Sequence, residues 1–287
     1  MSLLTAYCLL LTAAFGAIVG SFLNVLVLRI GTGRGLAGRS ACLSCSKQLG
    51  FFELVPIFSY LAQGGRCRAC KSRISTHYIL VEALTALSFA GITWKILTSP
   101  SPARGEGWGE VGAFLFLATV AAILIAIIAY DIRHQIIPDS FVFALFAIAL
   151  VRVAYLYAQG SPVHIQIVSA LGITLFLFLL FAFSRGRWLG LGDVKLILPL
   201  ALFLPWSDNL VALMLAFWSG AVVGLALIGW SRFSGQHRVS GRGGSLGVKE
   251  RRASHQSYQL KSEIPFAPFL ILGTATVYFV HIPLLPF

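Results

Sequence analysis

Charged residues are scarce in this chain, and acidic residues are the scarcest. Only 11% of the 287 residues are charged, and ten are acidic, whereas 57% are hydrophobic. A soluble globular domain carries about 25% charged residues, so this composition excludes an ordinary soluble protein. The alternating apolar and polar pattern of membrane β-barrel strands is also missing. The remaining interpretation is a polytopic α-helical membrane protein.

Long apolar runs predict about eight transmembrane helices. A helix needs about 20 apolar residues to cross the hydrocarbon core, and it satisfies its own backbone hydrogen bonds there. The sixth run is short enough to be tilted or re-entrant. The predicted spans are 3–28, 78–97, 111–130, 139–158, 165–184, 194–206, 209–230 and 264–286.

The distribution of basic residues predicts the orientation of these spans. No basic residue precedes the first run, which continues to Leu28, so we expect a retained span with its N-terminus outside. The segments that then face the cytoplasm hold most of the basic residues. Together with Lys195, just beyond one of these segments, they contain 19 of the 22 Lys and Arg residues, as the positive-inside rule requires. The net charge of +12 therefore reflects topology, and we expect no nucleic-acid partner.

The chain divides into three predicted parts. Residues 1–28 form the first transmembrane helix, 29–77 a cytoplasmic four-cysteine domain, and 78–287 a seven-helix membrane core. Segment 98–110 is predicted to be an outside loop. Segment 231–262 is rich in Gly, Ser and Arg, which predicts a loosely ordered cytoplasmic loop. Its alternatives are a solvated loop and a contact with anionic membrane lipid.

Two Cys-x-x-Cys pairs lie in the second part. Their thiolates could supply four tetrahedral ligands for a structural zinc ion. The alternative is two disulfides, which would need an oxidising compartment and disagrees with a cytoplasmic loop. The four cysteines are Cys42, Cys45, Cys67 and Cys70. A third interpretation is that this loop docks a protein partner.

Two aspartates, Asp131 and Asp193, lie where long apolar runs meet short polar turns. A carboxylate inside a membrane is costly, so it usually has a function. Two carboxylates on the same side suit hydrolysis, because one can activate water while the other, protonated, donates to the substrate carbonyl. Asp131 also follows a helix, where a negative charge is unfavourable.

Other interpretations of these carboxylates remain open. Asp193 could cap the sixth span, and Asp139 after Pro138 is most simply the cap of the fourth. The alternative function is a proton- or cation-coupled transporter that uses Asp131 and Asp193. Asn24 in the first span is expected to form an interhelical hydrogen bond, and Glu82 at the start of the second span has no assigned role.

The order of several short blocks makes the chain resemble the type IV prepilin leader peptidases, a family of membrane aspartyl peptidases. The blocks are 20–25 with Arg29, the double Cys-x-x-Cys loop, 56–61, 65–68, 74–75, 80–82, 131–139, 190–196 and 265–270.

The resemblance implies that Asp131 and Asp193 are the catalytic pair. It implies cleavage of the short basic leader of prepilins or pseudopilins at the cytoplasmic face of the bacterial inner membrane. The protein would then act indirectly for a pilus or secretion machinery. It also implies N-methylation of the new amino terminus with S-adenosylmethionine, for which Glu53 is the candidate residue.

Overall fold

The computed structural model describes residues 3–30, 38–98, 109–235 and 265–280. Within them, the regular structure is helical apart from two isolated antiparallel bridges, Ala41 with Gln48 and Arg66 with Arg73. A short 3₁₀ turn, Phe51–Glu53, lies between these bridges. The α-helices are α1 (Leu3–Arg29), α2 (Phe58–Ala62), α3 (Thr76–Thr98), α4 (Gly109–His134), α5 (Asp139–Ala158), α6 (Val163–Ser184), α7 (Leu191–Phe203), α8 (Trp206–Gly235) and α9 (Ala267–Val280).

Each of the eight predicted spans coincides with a helix, which confirms the all-α polytopic class. Six helices, α1, α3, α4, α5, α6 and α8, are long and apolar enough to cross a membrane. Helix α7 has 13 residues, about 20 Å at 1.5 Å per residue, which is less than the hydrocarbon thickness. Helix α9 has 14 residues among those described. Eight full crossings therefore stay a prediction.

Helix α7 lies at the centre of the larger core. It packs against α5, α6 and α9, and Leu196, Pro199 and Leu200 are almost completely inaccessible. Such all-round burial suits a helix that is apolar on every side. Because its neighbours surround it, α7 holds its first turn at a fixed position in the bundle.

Helix α1 packs closely along α3 through small residues. A Cβ atom added at Gly16 would lie 2.7 Å from the Thr85 carbonyl oxygen, and one at Gly20 would lie 2.7 Å from the Glu82 Cα. Two glycines four residues apart let membrane helices approach in this way. The Asn24 amide donates to the Tyr78 carbonyl oxygen at 3.0 Å, which confirms the predicted interhelical hydrogen bond.

Two predicted loops fall mostly outside the described residues. Residues 99–108 of the predicted outside loop lie outside the described residues. For the basic loop, α8 continues to Gly235, so the helix runs five residues into segment 231–262 and the remainder lies outside the description. The division into parts 1–28, 29–77 and 78–287 stays a prediction.

Candidate active site and cysteine cluster

Asp131 lies in the last turn of α4. The helix continues to His134, one turn beyond the predicted span, and ends where Gln135 adopts a positive φ of 53°. The Gln135 N–H donates to the Asp131 carbonyl oxygen at 2.8 Å, the backbone pattern of a left-handed C-cap. The Asp131 side chain is 5% exposed. Its Oδ2 is buried without a hydrogen-bond partner among the described residues, a costly arrangement that favours a functional role.

Asp193 lies in the first turn of α7. Its Oδ2 accepts a hydrogen bond from the Gly190 N–H at 3.3 Å, so the carboxylate satisfies one of the free N–H groups at the helix start. Asp193 is also buried. The prediction that Asp193 itself caps this helix is wrong, because Gly190 occupies the cap position and Asp193 bonds it from the first turn. The bond leaves the second carboxylate oxygen for other chemistry.

The fold brings these two carboxylates together. They are close enough that the charge of Asp131 acts directly on Asp193. Helices α5 and α6 separate them in the chain, so the pair forms only because α4 and α7 both pack against α5 and α9. The backbone N–H of Ala267, at the start of α9, also interacts with the Asp131 carboxylate.

The two polar turns that carry the aspartates touch each other. A Cβ atom on Gly192 would lie 3.2 Å from Ile137, so Ile137 packs against the backbone beside Asp193. On the rim, Lys195 Nζ contacts Asp139 Oδ1 at 2.9 Å. The prediction that Asp139 caps α5 is wrong, because Pro138 occupies the cap position without a side-chain bond and the carboxylate faces α7.

This geometry suits acid–base hydrolysis without a covalent nucleophile. Where two carboxylates lie close together, one can be ionised while its neighbour holds a proton. The ionised group can accept a proton from water while the other donates to a carbonyl oxygen. The structure thus brings together both sequence-predicted candidates, and it adds the Gly190 and Ala267 N–H groups, whose roles the sequence did not show.

The four cysteines form a second cluster on two similar loops. In the first loop, the Cys42 N–H bonds the Lys47 carbonyl at 2.9 Å and the Ser46 N–H bonds the Cys42 carbonyl at 2.9 Å. In the second loop the equivalent bonds join Cys67 with Ser72 at 2.9 Å and Lys71 with Cys67 at 3.0 Å. The residue after each second cysteine has a positive φ, 57° at Ser46 and 59° at Lys71.

The sulfur positions fit one tetrahedral metal ion. All four sulfur atoms lie within 4.8 Å of one another, and those of Cys42 and Cys70 are 3.8 Å apart. Ligands about 2.3 Å from a tetrahedral centre would be about 3.8 Å apart. A disulfide needs about 2.05 Å between sulfurs, and all four cysteines are free. Four cysteines close together can therefore bind a metal.

Local hydrogen bonds prepare some of these thiols for binding. The backbone N–H groups of Cys45 and Ser44, with the Ser72 hydroxyl, lower the pKa of Cys42 to about 6. The Ser72 hydroxyl and backbone N–H lower the pKa of Cys70. For Cys45, the Lys47 N–H lowers the pKa, but desolvation and the three neighbouring sulfurs raise it to about 11. A metal binds the deprotonated form of cysteine, so the lowered pKa values of Cys42 and Cys70 favour binding.

Glu53 lies on the 3₁₀ turn of the cysteine loop. Its Oε2 accepts a hydrogen bond from the Gly50 N–H at 2.9 Å. The side chain thus closes a local turn, in the manner of half a capping box, and it is partly exposed. Its link to methylation stays a prediction.

Glu82 joins the cysteine loop to the membrane helices, a role that the sequence analysis left unassigned. This residue is 8% exposed, and its Oε2 accepts a hydrogen bond from the Ile57 N–H at 2.8 Å. Ser21 and Asn24 of α1 also interact with the carboxylate. Ile57 has φ 62° and ψ −54°, and the Phe58 N–H bonds the Pro56 carbonyl at 2.6 Å, which together define a strained γ-turn. The sequence did contain a signal for this contact, because Glu82 is an acidic residue in a membrane helix that follows a Pro-containing loop.

Comparisons with known proteins agree with the motif order. The bacterial peptidase A24 N-terminal domain matches residues 14–96, which include the second half of α1, the cysteine loop and most of α3. The type IV leader peptidase family matches residues 115–225, which include both aspartates. No solved structure matches the chain.

Three similar proteins extend this agreement over most of the chain. A prepilin leader peptidase/N-methyltransferase of Burkholderia pseudomallei is 29% identical and covers 93% of this chain and 84% of its own length. One from Pseudomonas aeruginosa is 29% identical over 76% of this chain and 80% of its own. A type 4 prepilin-like proteins leader peptide-processing enzyme of Escherichia coli O78:H11 is 32% identical over 63% of this chain and 71% of its own length. With these matches and the paired carboxylates, this chain belongs to the type IV leader peptidase family.

Proposed function

We propose that this protein is a membrane aspartyl endopeptidase that removes the leader peptide of type IV prepilins or pseudopilins. The observation that carries the proposal is the approach of Asp131 and Asp193 at one end of the helix bundle in a member of this family. The transporter alternative is not supported, because the family models and the relatives are those of leader peptidases.

The catalytic step assigns one role to each carboxylate. The ionised member of the pair takes a proton from a water molecule, which attacks the scissile carbonyl carbon. The protonated member donates to the carbonyl oxygen as the tetrahedral intermediate forms. Proton return to the leaving amine then breaks the C–N bond. Burial of both groups strengthens these interactions, since the site excludes bulk water.

The substrate must reach this site from the membrane. The pair lies at the bundle end where α3, α5 and α7 begin, because Tyr78 of α3 interacts with Arg133 of α4 and Lys195 contacts Asp139. We assign this end to the cytoplasmic face of the bacterial inner membrane, in line with the positive-inside distribution. A basic leader is not attracted by a basic rim, so the substrate's apolar helix must supply binding by packing among the spans.

We also propose that the protein methylates the new amino terminus. Two of the three similar proteins described above carry both activities in their names. S-adenosylmethionine would supply an electrophilic methyl group. Glu53 is the candidate because its Oε2 contacts Gly50, which leaves the other carboxylate oxygen to take the proton that the substrate ammonium must lose.

We infer that the cysteine cluster holds a structural zinc ion. Cys42, Cys45, Cys67 and Cys70 would be its four ligands, and a site closed by four thiolates has no open position for substrate. The ion would fix the two loops relative to each other, because zinc binding stabilises the folded state of small loop domains.

One experiment tests both activities. The purified full-length protein is incubated with a prepilin, with and without S-adenosylmethionine, and the products are measured by mass spectrometry. We expect loss of the leader mass in both samples. Only with S-adenosylmethionine should the product also gain about 14 Da, the mass that one added methyl group contributes. An intact prepilin in both samples would overturn the peptidase assignment, whereas cleavage without added mass would overturn only the methylation assignment.

A further inference from the structure

The cysteine loop exposes an apolar surface that the peptidase chemistry does not use. Phe51, Phe52, Phe58 and Leu61, here called the aromatic face, are between 64% and 79% exposed. The Phe51 and Phe52 rings meet edge to face at 5.7 Å, and the 3₁₀ turn that carries them packs against α2. Phe58 and Leu61 share one side of α2 because they are three residues apart. A cluster of large exposed apolar side chains of this kind marks an interaction surface.

The aromatic face is fixed at the edge of the membrane helices. Ile57, the residue directly before Phe58, donates its N–H to the buried Glu82 carboxylate in the second turn of α3. Both ends of the cysteine loop also lead into membrane helices, since α1 ends at Arg29 and α3 begins at Thr76. Phe58 of the aromatic face therefore lies one residue from a contact with the membrane core.

The strained turn at Ile57 determines where α2 points. A β-branched residue at φ 62° is unfavourable and persists only where its surroundings fix it. Here the Glu82 carboxylate fixes it from α3. The direction of α2, and with it the side that carries Phe58 and Leu61, is set by the membrane helices.

The rest of the loop is basic. Within residues 38–75 Glu53 is the single acid, against six Lys and Arg residues. All six basic residues are exposed: Arg39, Lys47, Arg66, Arg68, Lys71 and Arg73. Such a charge is complementary to a leaflet that contains anionic lipid, where each basic residue near the surface adds to binding.

We propose that the cysteine loop is an interfacial membrane-binding module. Its aromatic face inserts about 5–10 Å into the boundary between headgroups and acyl chains of the adjacent leaflet, and its basic side chains lie on anionic headgroups. The occupant of the aromatic face is lipid, because anionic headgroups complement the exposed basic residues of the same loop, whereas a basic prepilin leader does not. Lipid binding would hold the loop flat beside the bundle end that carries Asp131.

A site-specific fluorescence experiment tests this assignment. An environment-sensitive fluorescent amino acid replaces Phe52 in the full-length protein, which is placed in nanodiscs of phosphatidylcholine and phosphatidylglycerol. A matched control has the same probe at Ala69, an exposed residue between Cys67 and Cys70 outside the aromatic face. We expect blue-shifted emission and at least twofold quenching by brominated lipid at position 52, with little of either at position 69.

Other outcomes would overturn the proposal. A water-like spectrum at position 52 in anionic nanodiscs would remove lipid as the occupant. A shift that occurs only after prepilin is added would assign the aromatic face to the substrate. Equal quenching at positions 52 and 69 would show that lipid contact is not specific to the aromatic face. Metal content of both labelled proteins is measured in parallel, so that an unfolded loop is recognised.

Discussion

The carboxylate of Asp131 acts directly on that of Asp193, although α5 and α6 lie between them in the chain. One group comes from the last turn of a long membrane helix and the other from the first turn of a short buried one. Their approach depends on the packing of α7 among α5, α6 and α9. Acid–base hydrolysis by two carboxylates requires this convergence, because one carboxylate cannot accept a proton from water and donate one to the carbonyl oxygen at the same time.

Replacement of either aspartate by asparagine should abolish cleavage. Asp131→Asn and Asp193→Asn each remove one proton-transfer group, and we expect a loss of at least about 100-fold in the rate of prepilin cleavage. The measurement is single-turnover cleavage by protein purified in equal amount.

The matched control for this prediction is Asp139→Asn at the same rim. Asp139 is exposed and contacts Lys195, and a surface ion pair contributes about 0–1 kcal/mol, so cleavage should stay near the normal rate. Full activity in either Asp131→Asn or Asp193→Asn would refute the assignment of the catalytic pair.

Gly192→Ala should slow cleavage by widening the gap between the two turns. The added Cβ would lie 3.2 Å from Ile137, so either Ile137 or the first turn of α7 must shift. We expect a several-fold loss in kcat, since small displacements of a catalytic group are costly. Gly172→Ala is the control, because nothing lies within 4 Å of its added Cβ; an equal loss in both variants would point to a general helix effect.

Cys45→Ser should release the metal ion from the cysteine loop. A serine hydroxyl is a poor replacement for a thiolate, and the remaining three ligands should bind zinc much more weakly. We expect about one zinc per chain in the normal protein, measured by mass spectrometry of the metal, and substoichiometric zinc in the variant. Cys8→Ser in α1 should keep the full amount, and zinc retained at full stoichiometry in Cys45→Ser would contradict a four-thiolate site.

Glu82→Leu should loosen the cysteine loop from the membrane helices. The Ile57 N–H would lose its acceptor, and a buried unpaired N–H costs about 1–3 kcal/mol. Limited proteolysis should then cut the loop near residues 54–62 faster than in the normal protein. Glu82→Gln retains an acceptor oxygen and is expected to restore protection; identical cutting in all three proteins would show that the Ile57 contact does not hold the loop.

Local sequence patterns predicted the elements of this fold well, since hydropathy and length decide whether a segment forms a membrane helix. Boundaries were less accurate: α4 runs to His134, because the left-handed Gln135 and not the first polar residue ends it. The cap assigned to Asp139 was wrong for a tertiary reason. Lys195 on α7 attracts its carboxylate, and no local pattern contains that neighbour.

For the site, the polar turns identified both aspartates but not their surroundings. The Gly190 N–H is local to Asp193 and could have been foreseen from helix-start geometry. The Ala267 N–H comes from α9, and the Ile57 contact with Glu82 spans the cysteine loop. Both depend on distant segments, so the chain order gave no indication of them.

The sequence by itself determined that the protein is an α-helical membrane protein, that four cysteines form two paired loops, and that two carboxylates lie at the ends of apolar runs. These properties depend on residues that are neighbours in the chain. Tertiary structure alone decided that Asp131 and Asp193 meet, that α7 is buried by its neighbours, and that Glu82 holds a strained turn beside the aromatic face. Those contacts arise only when helices from distant parts of the chain pack together, because side-chain shape and burial select them.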